Sequence, residues 1–118
     1  MEKIIQRIEI ARQFSDTPGP RSKDEGEFSG EEFLEKLLLP AYEKSIAGGG
    51  KLLVDLDGTE GYATSFLEAA FGGLARKFPP SEVAANLVFK SEDEPYLIDE
   101  VQGYIADARK AAMAGAPR

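Results

Sequence analysis

Asp55 and Asp57 stand two residues apart at the end of the apolar run Leu52-Leu53-Val54 and are followed by Gly58-Thr59. Of all the residues in the chain, their types and spacing come nearest to a reactive pair. One carboxylate at a strand end can serve as nucleophile while a second beside it moves a proton. The same two acids can instead accept the backbone N–H groups of the turn that follows, which needs no chemistry at all. Hydroxyls follow at Thr59, Tyr62, Thr64 and Ser65, and Arg21 is the basic group flanked by the turn Thr17-Pro18-Gly19. Arg21 could grip an anion or a partner's carboxylate, or stand as a solvated loop cation. Tyr62 could anchor a partner on the rim of the loop, or pack half-buried on a sheet.

The rest of the composition narrows what these residues can do. The 118 residues include no cysteine, histidine or tryptophan, which removes disulfides, thiolate and imidazole metal sites, and a Ser-His-Asp triad. Fourteen Lys plus Arg against twenty-one Asp plus Glu leave a net charge of −7, which repels phosphate backbones and anionic lipid. Nucleic acid, membrane surface, metal and cofactor are therefore not expected. No Gly-rich loop precedes a Lys-Ser/Thr pair, so no ATP site is expected in the chain itself. Charges interrupt the first residues where an export signal would be apolar, and no apolar run approaches the roughly 20 residues of a spanning helix. The expectation is one cytoplasmic domain over 1–110 with a frayed tail at 111–118.

The elements that must position the acids follow from periodicity. Ile4, Ile8 and Ile10 predict a strand over 3–14, and the Pro- and Gly-containing stretch 15–28 predicts a long loop. Ser29 and Glu32 form the pattern of a capping box, opening a helix that carries Phe33, Leu34, Leu37, Leu38 and Tyr42 on one face. Pro40 should kink or break that helix, and Gly48-Gly49-Gly50 should end it. Residues 51–57 read as a central strand, and Ser65 with Glu68 as a second capping box opening a helix to Phe78. Gly72-Gly73 inside it points to close backbone packing or to a dimer contact. Pro79-Pro80 should end that helix, Val83 to Phe89 should form a strand, and Ser91 to Pro95 should open a last helix whose acids suit its dipole. This alternation predicts an α/β fold with a mixed sheet of about four strands and about three helices, its site beyond the carboxyl ends of the strands.

Two resemblances attach to the same loop. Val54-Asp55-Leu56-Asp57-Gly58-Thr59 looks like the first motif of haloacid dehalogenase-type phosphatases, which implies Asp55 as nucleophile and Asp57 as acid/base. That chemistry also needs a lysine, a further hydroxyl and a second acidic pair for magnesium. The longer resemblance is to the STAS-like domain family of unknown function, DUF4325, and more distantly to STAS anti-sigma-factor antagonists. It rests on Phe14 to Arg21 with Phe28 to Phe33, and on Val54 to Gly58, Gly61-Tyr62 and Ser65 to Leu74.

This second resemblance implies a non-enzymatic regulatory domain, with a GHKL-type histidine-kinase-like ATPase or an anti-sigma-like regulator as protein partner. It also implies a phosphoacceptor or partner contact at Thr64 or Ser65, beside an interaction loop holding Asp57, Gly58, Thr59, Tyr62 and Arg21. STAS antagonists carry Asp-Ser-Ser-Gly at this helix start, where the present chain has Ala63-Thr64-Ser65-Phe66. The acid and the glycine of that motif are missing. Ser65 has a second reading, as the N-cap of the helix it opens.

Overall fold

The computed structural model describes residues 3–114 and contains three strands and five helices among them. The strands are β1 (Ile4–Glu9), β2 (Lys51–Asp55) and β3 (Leu87–Lys90). They form one sheet in the order β1-β2-β3, and both pairings are parallel. The sheet is thus purely parallel with three strands, where a mixed sheet of about four was expected.

Helix α1 is the single turn Ile10–Gln13. The strand expected over 3–14 stops at Glu9 because Phe14 and Ser15 both donate to the Ile10 carbonyl, and the Gln13 side chain accepts from the Glu9 N–H. Helix α2 covers residues 30–47 and α3 covers residues 64–77. Helix α4 is Pro80–Asn86 and α5 is Tyr96–Ala114, while residues 115–118 of the expected tail lie outside the described residues. The residues from Val83 to Asn86 were expected in a strand. They are helical because Pro80 sits in the first turn with its φ preset, and Glu82 and Val83 donate to the Pro79 carbonyl.

Both long helices contain a π-helical turn, Leu34–Leu38 in α2 and Glu68–Gly72 in α3. The turn in α2 ends two residues before Pro40, and the helix runs on through the proline to Ala47 rather than breaking there. A widened turn next to a residue without an N–H is a local adjustment that keeps the helix continuous. Ser29 caps α2 as expected, accepting from the Glu32 N–H at 3.0 Å. The Glu32 carboxylate does not return to the cap; it pairs with Lys36 one turn on.

The register puts Ile8, Val54 and Phe89 side by side, with Leu52 and Leu87 on the same face. That face meets the helices, and Ile8, Leu52, Val54 and Leu87 join Phe33, Leu38, Phe66, Phe71, Leu74, Val101 and Ile105 in the core. Arg7, Leu53 and Val88 share the opposite face and are only partly buried or exposed. A run of aromatic contacts extends the core toward the carboxyl end of β2, from Phe71 through Phe33 and Phe66 to Tyr62.

Candidate functional site

The carboxyl end of β2 carries both acids, as the apolar run of the strand requires. Asp55 is the last residue of the strand and only 8% exposed. Its Oδ1 accepts the backbone N–H of Asp57 at 2.9 Å, and its Oδ2 lies 3.6 Å from Arg7 and 3.7 Å from Lys90. Asp57 accepts the backbone N–H of Asp93 at 2.9 Å through Oδ1 and the Lys90 ammonium at 3.0 Å through Oδ2. All four carboxylate oxygens are therefore engaged.

The turn beyond them is held from the far side as well. Asp93 returns a hydrogen bond, its Oδ2 accepting from Gly58, so the loop after β2 and the loop after β3 clasp each other. Gly58 takes φ +90, a left-handed conformation that suits glycine, and a Cβ there would crowd the methyl of Ala11. The Thr59 hydroxyl accepts from Gly61, and Glu60 donates to the Asp16 carbonyl of the long loop 14–29. Tyr62 packs against Phe66 and donates its hydroxyl to the Leu56 carbonyl at 2.8 Å.

Three titratable groups in this neighbourhood are displaced from their ordinary values. Burial raises the Asp57 carboxyl, but the N–H groups of Asp93 and Glu92 and the Lys90 ammonium outweigh it, leaving the group below its usual range. Lys90 is correspondingly raised, first by its hydrogen bond to Asp57. Burial pushes the Tyr62 phenol well above its ordinary value, so it acts here as a hydrogen-bond donor.

Helix α3 starts at Thr64, with Ala63 in the cap position and no side chain capping it. The expected N-cap role of Ser65 fails, since Ser65 is the second helical residue and the box partner Glu68 is occupied elsewhere. Arg21 donates to Glu68 Oε1, and Arg76 donates to Glu68 Oε2 at 2.7 Å. The hydrogen bond from Arg76, supported by Arg21 and opposed by burial, holds the Glu68 carboxyl below its usual range. Arg21, about half exposed, ties the long loop to α3 through this pair. Thr64 is exposed, and Tyr104 of α5 donates to Glu100 one turn before it.

The structure brings Asp57, Gly58, Thr59 and Tyr62 into one turn, sets Thr64 and Ser65 at its far end, and places Arg21 one helical turn further along α3. Sequence reasoning missed Arg7, Lys90 and Asp93. Once β1 and β3 are in parallel register with β2, Arg7 falls beside Leu53 and Lys90 beside Asp55, so the alignment of the strands is the signal that finds them. Among the described residues no group of three acidic side chains is placed to hold a metal ion. No described helix is long and apolar enough to cross a membrane.

No curated protein and no solved structure matches the chain. One family model does, over residues 29–97, which takes in α2, β2, the clasped turn, α3, α4, β3 and the start of α5. With that span covering more than half of its length, the chain belongs to the STAS-like domain family of unknown function, DUF4325.

Proposed function

We propose that the chain is a non-enzymatic regulatory domain, a cytoplasmic partner-switch component that works by contact with a GHKL-type histidine-kinase-like ATPase or an anti-sigma-like regulator. Its contact surface is the loop 57–63 with the first turn of α3. The observation that carries this reading is the engagement of all four oxygens of Asp55 and Asp57 by turn amides, Arg7 and Lys90. Three of these oxygens are hydrogen-bonded, and the fourth, Asp55 Oδ2, held only by the longer ion pairs, belongs to a residue just 8% exposed, so neither acid presents an open oxygen to a substrate. What the strand end then offers is a fixed surface with an exposed hydroxyl, Thr64, in the first turn of a helix.

Electrostatics supports a phosphate at that place. The helix N-terminus favours an anion; of the two acids that oppose a phosphate there, Glu60 is exposed before the helix, while Glu68, one turn on, is already paired with two arginines, so its repulsion is reduced. Ser65 is the second acceptor in reach, half-buried where Thr64 is exposed.

The test incubates the purified chain with ATP and each GHKL-type ATPase of its source organism, followed by phosphopeptide mapping and a binding assay. The expected result is phosphate on Thr64 or Ser65, with an ATPase retained by the unmodified chain and released by Thr64→Glu. A chain that is never modified and retains none of these ATPases overturns the proposal. So does magnesium-dependent hydrolysis of a phosphate ester that disappears in Asp55→Asn, which would restore the phosphatase reading.

A further inference from the structure

The long loop 14–29 is tied to α3 by a cluster that carries more positive charge than the contact requires. Glu68 accepts from two arginines at once, Arg21 of the loop through Oε1 and Arg76, two turns on, through Oε2. One carboxylate between two guanidinium groups leaves a surplus of positive charge, on a chain whose net charge is −7. Both arginines line a shallow groove of about 410 Å³ between α2 and α3, together with Lys77. The carboxylate in its lining, Glu31, already accepts the Lys23 N–H.

Arg21 is the member of this cluster that can change partners. Its backbone is fixed, the carbonyl accepting from Glu31 at the start of α2, but its guanidinium is about half exposed and engages Glu68 through Nη1 alone. Further N–H groups of the planar fork stay open. The start of α2 packs on α3 at Ala69, whose methyl would stand 3.0 Å from a Cβ on Gly30. Arg21 therefore reaches Glu68 from the Ala69 side. At about 100° per residue Glu68 falls between Thr64 and Ser65 around the helix, and Ser65 is the one on the side of Ala69. Its hydroxyl is not spent on a cap, and it precedes Glu68 by about 4.5 Å along the axis.

We infer that Arg21 is the receptor for a phosphate on Ser65, which takes Arg21 from Glu68, leaves Glu68 to Arg76, and moves the anchor of the long loop toward the start of α3. This rests on the partner-switch reading for the source of the phosphate, and adds which hydroxyl carries it and what it moves. Transfer from ATP forms the Ser65 Oγ–P bond, breaks the bond from the γ-phosphorus to its bridging oxygen, and releases ADP and the hydroxyl proton. The phosphate offers the guanidinium fork three acceptor oxygens and about twice the charge of a carboxylate, and that carboxylate is shared with a second arginine. Glu60, exposed before the helix, is the acid left to oppose it. Two existing links join the moved loop to the contact surface: Glu60 donates to the Asp16 carbonyl, and Phe14 packs against Phe66, which packs against Tyr62.

Phosphoserine encoded directly at position 65 of the full chain tests the inference without any kinase. Phosphorus NMR follows its second ionisation, which lies near pH 6 for an exposed group and should fall by roughly half a unit or more beside an arginine. Arg21→Gln should return it, whereas Arg12→Gln, on a residue that pairs with Glu9, should not. Amide shifts on phosphorylation should run through 14–29 and include Glu60. An ionisation that Arg21→Gln leaves unchanged overturns the inference, as does one that answers to Arg76→Gln alone. Unfolding of the phosphorylated chain overturns it too, because it means that no receptor offsets the charge placed on a half-buried residue. Dependence on Arg21 of a phosphothreonine encoded at position 64, and not of the phosphoserine, overturns the assignment to Ser65. Any of these failures leaves the partner-switch reading standing, since an ATPase can still bind or modify the chain. If the expected results hold while no GHKL-type ATPase modifies or retains the chain, that reading fails and the receptor remains.

Discussion

At the scale of single residues, the turn after β2 is held by groups whose partners are all internal, and each can be removed separately. Tyr62→Phe keeps the ring against Phe66 and deletes only the hydroxyl that serves the Leu56 carbonyl. Leu56 is 2% exposed, so water cannot readily replace that donor. The variant should lose about 1–2 kcal/mol in urea unfolding, and an unchanged midpoint would show that the carbonyl finds another donor. Glu68→Gln acts on the long loop instead. It weakens a partly exposed pair of ion pairs, so the global cost should be about 1 kcal/mol or less. Limited proteolysis should nevertheless cut within 15–28 sooner than in the parent chain. Cleavage at the parent rate would mean that the ring contacts of Phe14 with Phe28, Phe33 and Phe66 hold the loop by themselves. The fates of the Ser29–Glu32 and Ser65–Glu68 patterns explain why sites were only partly legible. Ser29 caps its helix because its needs are local, whereas Glu68 is drawn away by an arginine 47 residues distant, which no short-range pattern registers.

At the scale of elements, helix packing is decided by how closely backbones approach, and the glycines of the helices fall into opposite classes. A Cβ on Gly30 would run into the Phe66 carbonyl, a backbone atom that cannot swing aside. A Cβ on Gly103, inside α5, would meet nothing within 4 Å. Gly30→Ala should therefore destabilise the fold by about 1–3 kcal/mol through overpacking. Gly103→Ala should stabilise it by about 0.5–1 kcal/mol through helix propensity alone. Chemical denaturation of the two variants reads both signs, and a stabilised Gly30→Ala would refute the close contact of α2 with α3. The order of long elements was legible, because their apolar periods are long and their glycine and proline stops are strong. The misplaced boundaries share one physical cause. The strand expected over 3–14 and the one expected from Val83 each begin or end in a helical turn fixed by one carbonyl, at Ile10 and at Pro79, and alternation of residue types does not report such a bond.

At the scale of the whole molecule, the order β1-β2-β3 moves in one direction across the sheet. Right-handed crossovers in one direction put their helices on the same face, as the burial of Ile8, Leu52, Val54 and Leu87 shows. The carboxyl edge of this two-layer unit is then closed by ions rather than by a further helix: Asp57 joins β2 to Lys90 and Asp93, and Glu68 joins α3 to Arg21. Both carboxyls lie below their ordinary values of 3.8 and 4.5 in the folded chain. A group whose folded value is depressed stabilises the fold fully above its unfolded value and loses that contribution as pH falls through the folded one. Lowering the pH first shrinks the net charge of −7, but below the isoelectric point of about 4.6 the chain turns positive and general repulsion grows again, so a variant must separate the paired carboxylates from that background. Urea midpoints should hold steady from neutrality to about pH 5 and then decline as pH drops below the range of 4.5 to 3.8. The double variant Asp57→Asn with Glu68→Gln should start less stable at neutral pH and decline less steeply in acid. Parallel curves for parent and variant would place the acid-sensitive contacts elsewhere and remove the ionic closure of the carboxyl edge from the account of its stability.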